Sequence, residues 1–282
     1  MTEYRIIHAI RGASLAWLDE PWGNEPSKKG SESRFTLHAS ARCLRLGEKR
    51  EFGSKMMEWF TFLTGSFASW YEKNVLPALI NKVCSGKVFK RKRLQVVPKA
   101  TGKVLEIGFG SGTNLHTYDF TKVESIKGVD PSEELLAMAK DKIKELEAPI
   151  AIDLVVGSAE ELPFGDEEFD SVVVAFTLCS IPNVEAALQE CSRVLKVGGL
   201  LLFAEHGLSP DPDVQKWQHR ITPYWSVCAG NCHLNRNIEE LILSTGSFAF
   251  KGDKAFLEKK YSKGPKFLSF FYYGIAYKTK NL

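Results

Sequence analysis

Apolar residues in this chain fall into short unbroken runs, separated by amphipathic stretches and glycine- or proline-bearing turns. The runs at Val104–Ile107, Ser125–Val129, Ile150–Val156, Phe169–Phe176 and Leu200–Ala204 are too short for helices and rich in β-branched residues, so the pattern predicts strands. The run from Phe169 to Phe176 is the most continuous, which implies burial on both faces and a central parallel position. Between the runs, helical spacing appears after Ser132, where Glu133 and Glu134 suit the positive end of a helix dipole, and again from Val184 to Leu195. Gly198–Gly199 turns the chain into the next strand. Strands alternating with helices give a mostly parallel α/β sheet with helices on both faces. The pattern changes beyond Pro210. A helix is predicted around Ile238–Leu243, and two weaker strands, near Phe248–Lys251 and Leu268–Lys278, suit an antiparallel edge hairpin.

Three glycines, Gly108, Gly110 and Gly112, follow the first strand at every second position. A helix is expected after them, then the second strand, closed by Asp130. Strand, glycine turn, helix and acid-capped strand form the plan of a nucleotide-cofactor half-site. The glycines allow a sharp turn and let a ligand lie against bare main chain, and the acid can accept hydrogen bonds from both hydroxyls of a ribose. The dinucleotide fingerprint G-x-G-x-x-G fails, because the sixth position counted from Gly108 is Thr113. The pattern present is E-x-G-x-G-x-G, with Glu106 ahead of the first glycine.

Upstream, residues 1–53 show no sustained period and read as a poorly ordered extension. A transit peptide is opposed by its acids, and a start at Met56 or Met57 is an alternative reading. Residues 54–100 read as an amphipathic aromatic segment, 54–84, broken near Pro77, followed by a basic linker. The aromatic segment suits a helix over the open end of the sheet, a lid over bound ligands, or a membrane-touching face.

The chain has 282 residues and a net charge of +3, but residues 1–100 hold 18 Lys and Arg against 9 Asp and Glu. The excess peaks at Lys87, Lys90, Arg91, Lys92 and Arg93. A solvated helix face is the simplest reading; an anionic membrane or nucleic acid would also meet such a patch, though no nucleic-acid module is visible. No run approaches the roughly 20 apolar residues of a membrane span. The six cysteines follow no disulfide spacing and favour a reducing, cytoplasmic setting.

The E-x-G-x-G-x-G pattern resembles motif I of the class I S-adenosylmethionine-dependent methyltransferases. From residue 67 onward the chain resembles the bacterial branch related to the methyltransferase-like thiol S-methyltransferases. The segments that carry this are VLEIGFGSGTNL, GVDPS, GSAEELPF, TLCSIP, RVLKVGGLLLFAEH and WQHRITPYW with CHLNR. The resemblance implies a Rossmann-like domain over residues 101–282 with a twisted seven-stranded sheet, and S-adenosyl-L-methionine as donor. By position it implies that Glu106, Gly108, Gly110, Gly112, Asp130, Ser158, Ala159 and Thr177 line the donor site. The activity implied is methyl transfer to a small-molecule acceptor, with a thiol as one option. Alternatives are a phospholipid or quinone-precursor methyltransferase at a membrane surface, and a module that binds the donor without turnover.

A sulfonium methyl needs no further activation, so the protein's task is to hold the acceptor in line and exclude water. Thiolates and free amines need little more, whereas a hydroxyl needs a base. His206, just past a strand on the cofactor edge, is the base candidate; its alternative role is to bond a loop carbonyl. Trp217, Trp225, Cys232, His233 and Arg236, polar and aromatic residues beyond the last crossover, are expected to shape the acceptor pocket, with His219 secondary. Cys179 reads as a small buried residue rather than a nucleophile. The C-x3-C-H spacing of Cys228, Cys232 and His233 matches no familiar zinc set, so no metal is expected.

Overall fold

Within residues 70–71, 74–253 and 255–280, which the computed structural model describes, the apolar runs form five mutually parallel strands. They are β1 (Gly102–Ile107), β2 (Val123–Asp130), β3 (Ala151–Val156), β4 (Phe169–Ala175) and β5 (Leu195–His206). The carboxyl-terminal part adds β6 (Phe248–Ala249), β7 (Phe256–Tyr261) and β8 (Phe270–Lys278). The sheet order is β3-β2-β1-β4-β5-β8-β6, with β7 also paired to β8. Strand β8 runs antiparallel to β5, β6 and β7. The described residues thus form eight strands where the family resemblance implies seven. The unforeseen one is β7, whose sequence FLEKKY is half charged and mostly exposed, so that only pairing to the buried β8 makes it a strand. The expectations for residues 1–53, and for the aromatic stretch up to residue 69, fall outside the described residues.

Alternating positions on the central strands feed two cores. Val172, Val174, Leu201 and Phe203 pack with Leu188 and Cys191 of α4 (Val184–Val194) and with Ile238 and Ile242 of α6 (Ile238–Ser244). Val173, Leu202 and Ala204 turn the other way, toward Leu136 and Ala139 of α3 (Glu133–Leu146) and Val96 of α2 (Lys87–Val96). This alternation inside an all-apolar run is how a doubly covered sheet buries both faces, each large side chain contributing roughly 1.5–3 kcal/mol. Helix α3 starts as its sequence predicts: the Ser132 hydroxyl accepts the Leu135 N–H at 3.2 Å. Helix α1 (Leu76–Cys84) carries Pro77 in its first turn, where a missing N–H costs nothing.

Two readings are corrected. No α-helix follows the glycine turn; the chain makes only a 3-10 turn, Leu115–Thr117. The cause is local: Gly110 and Gly112 have φ of 55° and 72°, and Asn114 and Tyr118 are drawn back to Glu106 by hydrogen bonds. The basic run forms α2, but it is not wholly solvated. Lys92 and Arg93 are 6% and 3% exposed, with the Lys92 ammonium 4.4 Å from the centre of the Tyr273 ring and the Arg93 guanidinium 4.8 Å from that of Phe176. The polar-aromatic region after Pro210, for which the pattern predicts no strand, contains a 17-residue helix, α5 (Pro212–Cys228), which runs through Pro223 and starts on an Asp211 cap.

Candidate active site

The carboxyl ends of β1, β2 and β4 open onto a cavity of about 300 Å3. Of the eight residues expected at a donor site, Glu106, Gly108, Gly110, Asp130, Ser158, Ala159 and Thr177 line it. Gly112 does not; a Cβ there would lie 2.7 Å from Leu115 Cδ1, so this glycine serves packing within the turn. Gly108 and Gly110 differ from each other. A Cβ on Gly108 would lie 2.2 Å from Thr177 Oγ1, which makes this glycine the point where β1 and the loop after β4 close together. A Cβ on Gly110 would meet nothing nearer than the Gly108 carbonyl at 3.9 Å, so that side of the turn is open.

Asp130 ends β2 with Oδ2 accepting the Gly110 N–H at 2.8 Å and Oδ1 accepting the Ser132 N–H at 2.9 Å. Burial pushes its pKa up, opposed by those two bonds. Each oxygen keeps a lone pair for a ligand hydroxyl. Glu106 is 1% exposed, and its oxygens accept Asn114 Nδ2–H at 2.8 Å and Tyr118 O–H at 2.6 Å. Burial raises its pKa to about 7 in spite of these bonds.

Among the cavity residues that sequence reasoning missed, two stand out. Arg93 donates to the Cys84 carbonyl through Nη1 at 2.5 Å, while its buried Nε has no protein partner. Asn114 Oδ1 is likewise buried and unpartnered. A run of five basic residues gives no sign that one of them faces a cavity. The other is Phe176, held at φ 61°, a left-handed conformation that a bulky residue takes only where its surroundings impose it. Its N–H bonds Ala204 O, and its ring packs edge-on to Phe89 at 4.7 Å.

The donor fits these residues. An acid at the end of β2 suits a ribose, and an open glycine turn suits a close ligand backbone. Glu106 and Arg93 both border the cavity and offer an acid and a guanidinium for an ammonium and a carboxylate.

The acceptor candidates only partly come together. His206, the last residue of β5, places Nε2 3.1 Å from Cys232 Sγ, and Trp225 Nε1–H donates to the same sulfur at 3.3 Å. His206 therefore meets a thiol, rather than the loop carbonyl of its alternative role. Cys179 is 3% exposed, as read, yet it joins this group: its sulfur lies 3.4 Å from Ser180 Oγ, and Ser180 lines the cavity. A hydrogen bond from Cys232 and the neighbouring His206 hold the Cys179 thiol well below the usual range, and the same bond pushes Cys232 up. His233 and Arg236 hold the loop. The His233 N–H donates to Cys179 O at 2.8 Å, and Arg236 Nη1 donates to Leu178 O. His219 pairs with Asn235 at 2.9 Å. Trp217 stands apart, 57% exposed on α5 under the Arg220 guanidinium.

A model of the methyltransferase domain matches residues 105–203. Phosphatidylethanolamine N-methyltransferase of Cereibacter sphaeroides is 34% identical over 117 residues, 42% of this chain and 57% of that protein. The ubiquinone/menaquinone biosynthesis C-methyltransferase UbiE of Pseudomonas fluorescens (strain Pf0-1) is 30% identical over 184 residues, 63% of this chain and 67% of that one. Thiol S-methyltransferase TMT1B of Rattus norvegicus is 33% identical over 138 residues, 47% of this chain. The chain spans 57% of the first relative and 54% of the third. A crystal structure assigned as a methyltransferase, from Bacillus halodurans, superposes with a TM-score of 0.53 at 18% identity, covering 69% of this chain and all of that one. The chain belongs to the class I S-adenosylmethionine-dependent methyltransferases.

Proposed function

We propose that this enzyme methylates a thiol. The observation that carries this reading is the composition of the wall around the acceptor end. Sulfur and imidazole groups (Cys179, Cys232 and His206) gather behind Ser180, which lines the cavity; the lining carboxylates, Glu106 and Asp130, sit at the ends of β1 and β2, and Glu205, the carboxylate beside the sulfurs, is buried and accepts the Thr177 and Leu178 N–H groups. An ammonium acceptor must first lose a proton, which a carboxylate beside it would assist; a thiol ionises near neutrality and needs no such partner. The rat relative, named as a thiol S-methyltransferase, agrees with this choice.

Bound S-adenosylmethionine supplies a methyl already activated on a sulfonium. The chain's own residues bind and orient. Asp130 takes the ribose hydroxyls, Ser158 and the Ala159 backbone the adenine edge, and Gly108, Gly110 and Thr177 the middle of the donor. Glu106 and Arg93 flank the methionine end, Arg93 offering the carboxylate a charged donor. Trp225, Cys232, His233 and Arg236 shape the acceptor side, with His206 held against Cys232, and Phe176 helps to exclude water. Trp217 is left out, being exposed. The test is product analysis by mass spectrometry with aliphatic and aromatic thiols, a primary amine, a quinol and phosphatidylethanolamine vesicles. Thioether formation from thiols is expected; turnover of the amine or the lipid alone would sink the reading.

A second reading, methylation at a membrane surface, has one observation in its favour. Leu79, Val83 and Leu94 are 44%, 50% and 45% exposed on α1 and α2, the helices that also present Lys82, Lys87, Lys90 and Arg91 to solvent. Apolar side chains ringed by lysine and arginine suit an anionic lipid surface. Among the described residues, no helix is long and apolar enough to cross a membrane. Flotation with anionic vesicles separates the two readings.

A further inference from the structure

Three side chains from separate parts of the fold converge at the acceptor end. Cys179 lies in the loop after β4, His206 ends β5, and Cys232 follows α5. Their Sγ, Nε2 and Sγ atoms all lie within 4.8 Å of one another. From this convergence we propose that Cys179, His206 and Cys232 bind a zinc ion and leave its fourth position open for the acceptor thiol. The second half rests on the thiol reading above; the first does not.

The donor set selects the metal. Two thiolates and one imidazole are soft to borderline ligands, and three such ligands with one exchangeable position form a catalytic zinc arrangement. Tetrahedral zinc with its usual bond lengths separates two sulfurs by about 3.8 Å, and a sulfur from an imidazole nitrogen by about 3.5 Å. The observed 3.1 Å between His206 Nε2 and Cys232 Sγ opens by a few tenths of an ångström to meet this, and the widest separation closes from at most 4.8 Å. Side-chain rotation covers both changes.

The surroundings fix the ligands rather than leave them loose. Glu205 accepts the Thr177 and Leu178 N–H groups at 2.6 and 2.9 Å, which pins the loop one residue before Cys179. The Cys179 carbonyl takes the His233 N–H, so the chain beside one ligand holds the chain beside another. Asn231 Nδ2–H donates to Ser180 O at 2.8 Å and completes that tie. His206 sits in register opposite Phe271 on the buried β8. Trp225 Nε1–H, directed at Cys232 Sγ, is the outer-shell donor that a zinc thiolate uses to spread its charge. The spacing of these residues in sequence gave no sign of the set: the nearest pair is 26 residues apart, and the tempting C-x3-C-H run instead supplies one ligand, with Cys228 exposed.

The chemistry balances. The acceptor thiol binds zinc as a thiolate and gives up its proton to solvent. Its sulfur then forms the new S–CH3 bond as the donor's S–CH3 bond breaks, leaving a thioether and S-adenosylhomocysteine. In this arrangement His206 is a ligand and no general base is required.

The test uses the full chain, reduced with a phosphine, stripped of metal and titrated with Co2+ and then Zn2+. One equivalent of Co2+ should give tetrahedral visible bands and a thiolate-to-cobalt charge-transfer band, both abolished by Zn2+. Both should be missing in Cys179→Ser and Cys232→Ser and intact in Cys228→Ser, with S-adenosylhomocysteine affinity as the check that each variant is folded. Addition of 2-mercaptoethanol should shift the visible bands, and stripping the metal should slow thiol methylation at least about a hundredfold. Absence of the bands in wild type, their survival in Cys179→Ser, or a Cys179–Cys232 disulfide in protein isolated without reductant overturns the metal site. Full thiol turnover by stripped protein overturns the metal's role while leaving the thiol reading intact. Bands that form but ignore the thiol, with no thioether product, overturn the acceptor position and the thiol reading together, and the metal site stands.

Discussion

The Gly110 N–H donates to Asp130 Oδ2 at 2.8 Å, tying the glycine turn to the end of the second strand. That bond sets the turn whose outer side is open, with φ 55° at Gly110 and no atom nearer than 3.9 Å to a Cβ placed there. Gly110→Ala should therefore fold, at a cost of about 1–2 kcal/mol for an alanine in the left-handed region. The new methyl group occupies ligand space, so S-adenosylhomocysteine binding should be lost. Calorimetry alongside thermal unfolding separates the two effects; an Ala variant that binds normally would remove the turn from the donor site.

Glu106 gives the protein a pH dependence of known sign. Its folded pKa is about 7 against an ordinary 4.5, so between these values the folded state holds a proton that the unfolded state has released. Stability therefore falls as pH rises from about 4.5 to about 7, by about 3 kcal/mol, and the loss is complete above that. Glu106→Gln removes the titration. Tyr118 can turn its hydroxyl and Asn114 its amide, since Asn114 Oδ1 is unpartnered. In urea unfolding the variant should gain on wild type as pH rises through this window and match it near pH 4. Parallel curves at all pH values would show that Glu106 is ionised throughout.

Arg93 offers a way to probe the two ends of the proposed donor site separately. Its unpartnered Nε borders the cavity. Arg93→Leu should weaken S-adenosylhomocysteine about tenfold to a hundredfold, the scale of one hydrogen bond to a charged group. Adenosine, which lacks the carboxylate, should bind wild type and variant alike. Equal weakening of both ligands would mean that Arg93 shapes the cavity without meeting the methionine end.

The sequence was informative where one interaction dominates locally. The apolar run ending at Phe176 could bury itself only as a central strand, and Asp130 after a strand could serve little but a ligand or a turn; it serves the turn directly. Ser132 capped its helix because a single hydroxyl decides that. Other features depend on distant partners. Lys92 and Arg93 read as solvated charge, and rings distant in sequence, those of Tyr273 and Phe176, some 80 to 180 residues away, help to bury them. The helix expected after the glycines gave way to Glu106 drawing Asn114 and Tyr118 inward. Cys179, His206 and Cys232 belong to no common motif, and tertiary folding alone makes them neighbours.

The most direct measurement on the donor site is calorimetric titration with S-adenosylhomocysteine, using wild type and Asp130→Ala, with NADH as the control ligand. Asp130 is expected to anchor the ribose through charge-assisted bonds, so the alanine variant, folded by circular dichroism, should bind about a hundredfold more weakly. NADH should bind neither protein. Unchanged affinity in Asp130→Ala, or binding of NADH in place of S-adenosylhomocysteine, would contradict the assignment of the cavity.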